Sequence, residues 1–230
     1  MSANREEFAY YTDALELTKK EAKEFLNLKP IYKYLKRFSD IVLATIGLIV
    51  LSPVFLIIAI LIKTTSKGKV FFKHKRIGKN GKEIYIYKFR TMVDNAEDLI
   101  KKFTPEQLKE FKENFKLEND PRVTKIGRIL RKTSLDELPQ LFNIIKGDIS
   151  IIGPRPIITD ELEKYGMNKD KFLSIKPGLT GYWAANGRSD TTYEQRMEME
   201  LYYVDNMSFK LDVKIFFKTI LSVIKREGAV

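Results

Sequence analysis

With 230 residues, 44% of them hydrophobic and 31% charged, the chain is long enough for one domain with a real core and an appendage. Its 41 Lys and Arg against 30 Asp and Glu leave a formal charge of +11, which suits a polyanionic partner: nucleic acid, anionic lipid or a phosphorylated substrate. There is no cysteine, so a disulfide framework and a thiolate metal site are excluded.

Residues 1–30 predict an amphipathic helix, with Phe8, Tyr11, Leu15, Ala22 and Phe25 at three- and four-residue steps and Pro30 ending the pattern. The uncharged run Ile41 to Ile62 follows, bounded by Asp40 and Lys63. As a straight helix it would be roughly 33 Å long, enough for a bilayer core, and it starts too far along the chain for an ordinary cleaved signal peptide. Ser52-Pro53 sits near its middle, where proline deletes a backbone hydrogen bond and kinks the helix. Both flanks are basic: Lys33, Lys36 and Arg37 before the run, and Lys63, Lys67, Lys69, Lys73, Lys75 and Arg76 after it. Such clusters belong on the cytoplasmic side. If both obey that rule, the segment enters and returns by one face as a re-entrant hairpin broken at Ser52-Pro53; a kinked spanning helix is the alternative. A nucleic-acid-binding role would leave this run without purpose.

Next, Val70-Phe71-Phe72 and Ile84-Tyr85-Ile86-Tyr87 flank Asn80-Gly81, which predicts a β-hairpin. Thr104-Pro105 starts a helix carrying Leu108, Phe111 and Phe115 on one face. A third helix is expected from near Ser134 towards Gly147, then an irregular loop at Gly153-Pro154-Arg155-Pro156 and further irregular structure at Lys176-Pro177-Gly178 and Asn186-Gly187. Leu211 to Ile224, with Ile215, Phe216 and Ile220 beside Lys214, Lys218, Lys225 and Arg226, suits an interfacial amphipathic helix or an ordinary core-facing one. The fold class is α+β and mostly helical. The expected division is an amphipathic helix over 1–30, a membrane segment with basic flanks over 31–69 and a catalytic domain over 70–230.

Asp136-Glu137 is the acidic pair most suited to chemistry. Ser134-x-x-Glu137 also matches a capping box, in which case the acids only start a helix. The surroundings favour a phosphate site: Arg131 and Lys132 just before the pair, Lys88 and Arg90 on or beside the aromatic strand, and Arg155 between two prolines. Adjacent acids in such a site can hold Mg²⁺, or one can attack phosphorus. His74, the sole histidine, is expected at the membrane interface, and Trp183, Tyr202 and Tyr203 in packing.

Several blocks occur in order: Tyr87-Lys88-Phe89-Arg90-Thr91-Met92, Asp120-Pro121-Arg122, Arg131-Lys132-Thr133-Ser134-Leu135-Asp136-Glu137-Leu138-Pro139-Gln140-Leu141, Gly147-Asp148, Ile152-Gly153-Pro154-Arg155-Pro156 and Lys176-Pro177-Gly178-Leu179-Thr180-Gly181. Together with the apolar run they resemble the monotopic phosphoglycosyl transferases, the bacterial sugar transferase family, over roughly residues 31 to 226. The resemblance implies a re-entrant helix broken at Ser52-Pro53 and an enzyme that moves a sugar-1-phosphate from a UDP-sugar to polyprenyl (undecaprenyl) phosphate, releasing UMP. Asp136 matches the family nucleophile, which carries a covalent phosphosugar. Glu137 matches its partner acid, a metal ligand or a proton-transfer group, and Mg²⁺ on Asp136 and Glu137 is the implied cofactor. Lys88, Arg90, Arg131 and Pro154-Arg155-Pro156 are the implied substrate-binding residues. The run from Gly187-Arg188-Ser189-Asp190 to Tyr202-Tyr203 looks like members that transfer hexose-1-phosphate. The implied setting is the cytoplasmic face of a bacterial inner membrane and the first membrane step of surface-glycan or exopolysaccharide synthesis. The expected partners are the UDP-sugar, the polyprenyl phosphate and membrane lipid, with a homodimer as a candidate assembly and no nucleic acid.

Overall fold

The computed structural model describes residues 30–114, 117, 120–187 and 191–225; the amphipathic helix expected over 1–30 lies outside them but for its last residue. The apolar run forms the middle of helix α1 (Pro30–Thr65), a single element of 36 residues with Pro53 inside it. In a regular helix the residue 53 amide would donate to the Ile49 carbonyl, and proline has no hydrogen to give. The Ser52 hydroxyl donates to that carbonyl instead, at 2.8 Å, so the Ser-Pro pair keeps the acceptor satisfied among apolar neighbours.

One face of α1 is buried along its length. Tyr32, Ala44, Leu48 and Leu51 join the main core with Leu141, Ile144, Ile151 and Tyr203. Further along, Val54, Phe55, Ile58 and Ile62 pack with Phe89 and Leu130. The opposite face exposes Ile46, Ile49, Val50, Leu56, Ile57 and Ile60. The contact is tight at Gly47, where an added Cβ would lie 3.2 Å from a Leu141 methyl carbon.

Both ends of α1 are tied to the same domain by polar groups. Lys36 reaches Asp212 at 2.8 Å, and Arg37 donates to the carbonyls of Ile144 and Ile145 at 2.6 and 2.7 Å. Asp40 accepts from the Ser150 hydroxyl and the Ile151 amide. At the far end Arg90 donates to the carbonyls of Ser66 and Lys67 and to the Ser66 hydroxyl. Lys36 and Arg37, expected as flanking charges, are therefore tertiary anchors.

Strands β1 (Phe71–Ile77) and β2 (Glu83–Phe89) form the expected antiparallel hairpin. Its turn places Asn80 at φ 58° and Gly81 at φ 75°, as an Asn-Gly pair allows. Short helices α2 (Ala96–Ile100) and α3 (Pro105–Asn114) follow. Thr104 and Gln107 cap α3 reciprocally, so it starts where Thr104-Pro105 predicted. Phe111 faces Phe103 and the Arg122 guanidinium, while Phe115 lies outside the described residues. Helix α4 (Lys125–Lys132), capped by Thr124, leads into the acidic turn, and α5 (Gln140–Lys146) follows it. Asn143 on α5 docks on the edge of β2: its amide donates to the Tyr85 carbonyl at 2.7 Å and its oxygen accepts from the Tyr87 amide at 2.9 Å.

Strand β3 (Ser150–Ile152) pairs in parallel with β4 (Gly178–Thr180). The irregular structure expected at Lys176-Pro177-Gly178 thus ends in a strand at Gly178. An added Cβ at Gly178 would sit 2.2 Å from the Gly153 amide nitrogen, so only glycine permits this approach. Between these strands lie α6 (Thr159–Leu162) and α7 (Lys169–Leu173); after them come α8 (Tyr182–Asn186), α9 (Tyr193–Asn206) and α10 (Phe209–Lys225). Helix α10 buries Ile215 and exposes Phe217, Ile220 and Leu221, so it is both core-facing and apolar on its outer side.

Asp212 on α10 is the polar joint between α1 and the domain. Its carboxylate accepts from the hydroxyls of Tyr32 and Tyr203 at 2.7 and 2.6 Å and pairs with Lys36. Asp212→Ala leaves the Lys36 ammonium nearly buried without its counter-charge and should cost about 3 kcal/mol or more. Tyr32→Phe should cost about 1 kcal/mol. Thermal unfolding in detergent reads both, and an unchanged midpoint for Asp212→Ala would show that the joint carries no stability.

Candidate active site

The acidic pair sits in a break between helices. After α4, Ser134 turns left-handed at φ 56° and ψ 16°, a conformation costing a non-glycine residue about 1 kcal/mol. A single 3₁₀ turn, Leu135–Glu137, follows before α5 starts at Gln140. The helix expected from near Ser134 therefore begins six residues later, because Pro139 has no amide for the Leu135 carbonyl; the Leu138 amide donates to it instead. The capping box is absent too: the Ser134 side chain makes no capping bond, and Glu137 pairs with Lys88. Leu135 and Leu138, on either side of the acids, pack against Ile58, Ile62, Phe89 and Leu130. The turn is thereby fastened to the apolar helix.

The fold brings cations from separate elements to these acids. Lys88 on β2 places its ammonium 2.7 Å from a Glu137 carboxylate oxygen, and Arg155, in the loop after β3, comes within 3.7 Å of the same atom. Arg131 on α4 is held by Thr91, which accepts from its Nε at 3.0 Å. The Asp136 residue is only 7% exposed. Burial pushes its carboxyl up to about 6 and the neighbouring Glu137 charge adds to this, while Lys88, Arg131 and Arg155 pull the other way.

Arg90 stands apart from this group, since its guanidinium closes the end of α1. Pro154 is buried, and its carbonyl accepts from the Gly178 amide at 2.7 Å; Pro156 is half-buried. Ser52 and Pro53 lie within α1.

A second polar cluster adjoins Arg155 that the sequence reading did not single out. The Arg155 amide donates to Glu200 at 3.0 Å. Glu200 is fully buried, which raises its carboxyl to about 7. Glu161 bridges Arg76 and Arg196 at 3.1 and 3.2 Å. The Arg196 guanidinium lies 4.8 Å from the Trp183 ring centroid, and that of Arg155 lies 6.0 Å from it. His74 faces Arg76, with the charges of Lys88 and Arg155 near enough to act on it. A signal for it existed: the Asn80-Gly81 turn fixes a register in which Phe72, His74 and Arg76 lie opposite Lys88, Ile86 and Ile84 on one face.

The donor set suits a hard cation shared with phosphates. Asp136 and Glu137 are adjacent carboxylates, and no cluster of three or more acidic, histidine or cysteine side chains exists among the described residues to form a closed protein cage. Magnesium takes one or two carboxylates and completes its shell from substrate phosphates and water, so the pair fits that ion.

The sequence model of the bacterial sugar transferase family matches residues 31–226. The exopolysaccharide production protein ExoY of Sinorhizobium fredii is 44% identical over 205 residues, covering 88% of this chain and 91% of that protein. The undecaprenyl-phosphate galactose phosphotransferase of Salmonella typhimurium is 44% identical over 200 residues, covering 86% of this chain. A sugar transferase of Haemophilus influenzae is 46% identical over 200 residues, again 86% of this chain. The chain spans 42% of the length of each of these last two relatives. The match of the family model to nearly all of the described chain shows that this protein belongs to the bacterial sugar transferase family.

Proposed function

We propose that this chain transfers a sugar-1-phosphate, in keeping with its relatives a hexose-1-phosphate, from a UDP-sugar to undecaprenyl phosphate at the cytoplasmic face of a bacterial inner membrane. The observation that carries this reading is a buried carboxylate, Asp136, amid Lys88, Arg131 and Arg155, on a turn whose leucines pack on the apolar helix. Cations offset the repulsion that an anionic nucleophile meets at a diphosphate, and the helix keeps the centre where a lipid phosphate can reach it.

In the first displacement an Asp136 oxygen attacks the sugar-bearing phosphorus. The bond from that phosphorus to the bridging oxygen breaks, and UMP leaves with the electron pair. In the second, an oxygen of undecaprenyl phosphate attacks the same phosphorus and the Asp136 carboxylate departs. The net products are UMP and the sugar diphospholipid. Lys88 and Arg155 orient the diphosphate, and Glu137, already paired with Lys88, holds that ammonium in place. Magnesium, held by Asp136 and Glu137 with the diphosphate, would supply further charge neutralisation.

A re-entrant placement of α1 is supported by its polar ties. Lys36, Arg37 and Asp40 at one end and Ser66 and Lys67 at the other all bond to one domain. The exposed face of α1 between them is aliphatic, and Phe142, Ile145, Phe217 and Leu221 are exposed as well. That surface suits a bilayer leaflet.

Asp136→Asn keeps the shape of the turn but loses the attacking anion, so turnover should fall by several orders of magnitude with folding intact. Wild-type protein given UDP-sugar and Mg²⁺ without lipid should release UMP and gain one phosphosugar on the peptide bearing Asp136. UMP appearing only after lipid is added would refute the covalent route. The rate of this half-reaction should depend on pH. Because burial raises Asp136 to about 6, the reactive anion is scarce below that value, and the rate should climb through pH 6 and level above about 7. A flat profile from pH 5 to 8 would contradict the assignment.

The topology has its own test, made simple by the absence of native cysteine. Lys33→Cys and Lys69→Cys, at exposed sites beyond the two ends of the apolar run, should be equally shielded from an impermeant thiol reagent in intact cells. Labelling of one alone would mean that α1 spans the bilayer.

A further inference from the structure

His74 is the only histidine in the chain, and its surroundings fix its chemistry. It lies on β1 opposite Ile86, with Arg76 two residues further along the same face and Lys88 diagonally across on β2. An Arg76 terminal nitrogen is 3.3 Å from His74 Nδ1. A guanidinium only donates hydrogen bonds, so Nδ1 must be the acceptor and carry no hydrogen. The hydrogen of the neutral ring then sits on Nε2. Arg76 is held in turn by the buried Glu161, which also binds Arg196, so the acceptor role of Nδ1 rests on a partly buried three-member chain.

From this geometry we infer that His74 is a substrate-contacting residue: a neutral imidazole that presents its Nε2–H, beside Lys88 and Arg155, to a non-bridging oxygen of the donor substrate's diphosphate. The inference rests on the proposed UDP-sugar reaction and deepens it. Among the described residues none accepts the Nε2 hydrogen, and the side chain is half-buried rather than enclosed. The groups facing it are Arg76, Lys88, Arg155 and Glu161, three cations against one acid. Burial and those cations lower the ring to about 4, so it stays uncharged in the working pH range. A neutral donor gives the phosphate a fixed direction without adding another positive charge to a site that must release UMP. The ring also lies against Phe72, tilted at 59° with centroids 5.7 Å apart, which limits its rotation.

Two measurements test this. The first needs no activity: protein labelled with ¹⁵N only in histidine gives a single imidazole, whose two nitrogen shifts report the tautomer. The expected result is an unprotonated Nδ1 and a protonated Nε2 from pH 5 to 8. A proton on Nδ1, or titration near the ordinary histidine value of about 6.5, would overturn the inference. The second compares variants in preparations whose wild type releases UMP. Glutamine can offer an N–H near the position of Nε2, so His74→Gln should stay within about threefold of wild type in KM for UDP-sugar. His74→Ala should raise that KM about tenfold, the scale of one hydrogen bond to a charged group, with a parallel loss of affinity for UDP itself. If Gln is as impaired as Ala, or neither changes, His74 does not donate to substrate. If Ala weakens UDP-sugar binding but leaves UDP binding unchanged, the contact is to the sugar and the diphosphate assignment falls. Absence of UMP release from the wild type would instead sink the proposed reaction, while the tautomer result would stand by itself.

Discussion

Docking of α5 against α1 is the contact on which the rest depends. Helix α5 is only seven residues long, yet it meets the apolar helix, the hairpin and the acidic turn. Leu141 fits where Gly47 leaves room, Phe142 meets Phe55 edge-on at 6.1 Å, and Arg37 from α1 caps its last carbonyls. Asn143 on the same helix takes the place of a strand neighbour for β2, the strand that carries Lys88. The acidic turn is the segment directly before α5. Fixing this one helix therefore fixes the carboxylates relative to Lys88 and to the exposed apolar face of α1 together. A shift along α1 by even one turn, about 5.4 Å, would break the ammonium–carboxylate contact.

Electrostatics follow the same economy. Part of the positive charge is used inside the fold, while lysines such as Lys33, Lys63, Lys67, Lys69 and Lys73 stay exposed. Lys36, Arg37, Arg90 and Arg122 are consumed inside the fold as anchors and caps, Arg122 in a two-pronged buried pair with Asp120 at 2.7 to 3.1 Å. Lys88, Arg131 and Arg155 converge on the two acids of the turn. Because the acids are partly buried, each of these charges acts through a weaker dielectric than water and is less screened by salt. Burial pushes the Asp136 carboxyl up and the three cations pull it back, leaving it at about 6.

Much of this was legible in the sequence for clear physical reasons. An uncharged run of roughly 22 residues can only be a helix on or in a membrane or in a core. The Asn80-Gly81 turn and its flanking aromatics set the hairpin, and Thr104-Pro105 set the start of α3. The blocks around Asp136 and Arg155 marked the family. The reading of Ser134 to Gly147 as one helix failed because a capping pattern is local, whereas Lys88 reaches Glu137 from a distant strand and removes its capping role. Arg90 lies in the same block as Lys88, and strand alternation would send both to one face; Arg90 instead falls just past the end of β2, where the carbonyls at the end of α1 capture it while Lys88 reaches Glu137.

By itself, then, the sequence determined what depends on composition and near neighbours: an apolar helix with a proline in it, the turn chemistry, the acids and the supply of cations. Tertiary structure decided what depends on residues far apart in the chain. It chose which basic residues became anchors and which faced the carboxylates. It joined both ends of α1 to one domain, and it brought Arg76 to His74 so that a lone histidine acquired a defined tautomer. The reason is that a charge or a hydrogen-bond donor is specified by residue type, but its role is set by the partner that the fold brings within about 3 Å.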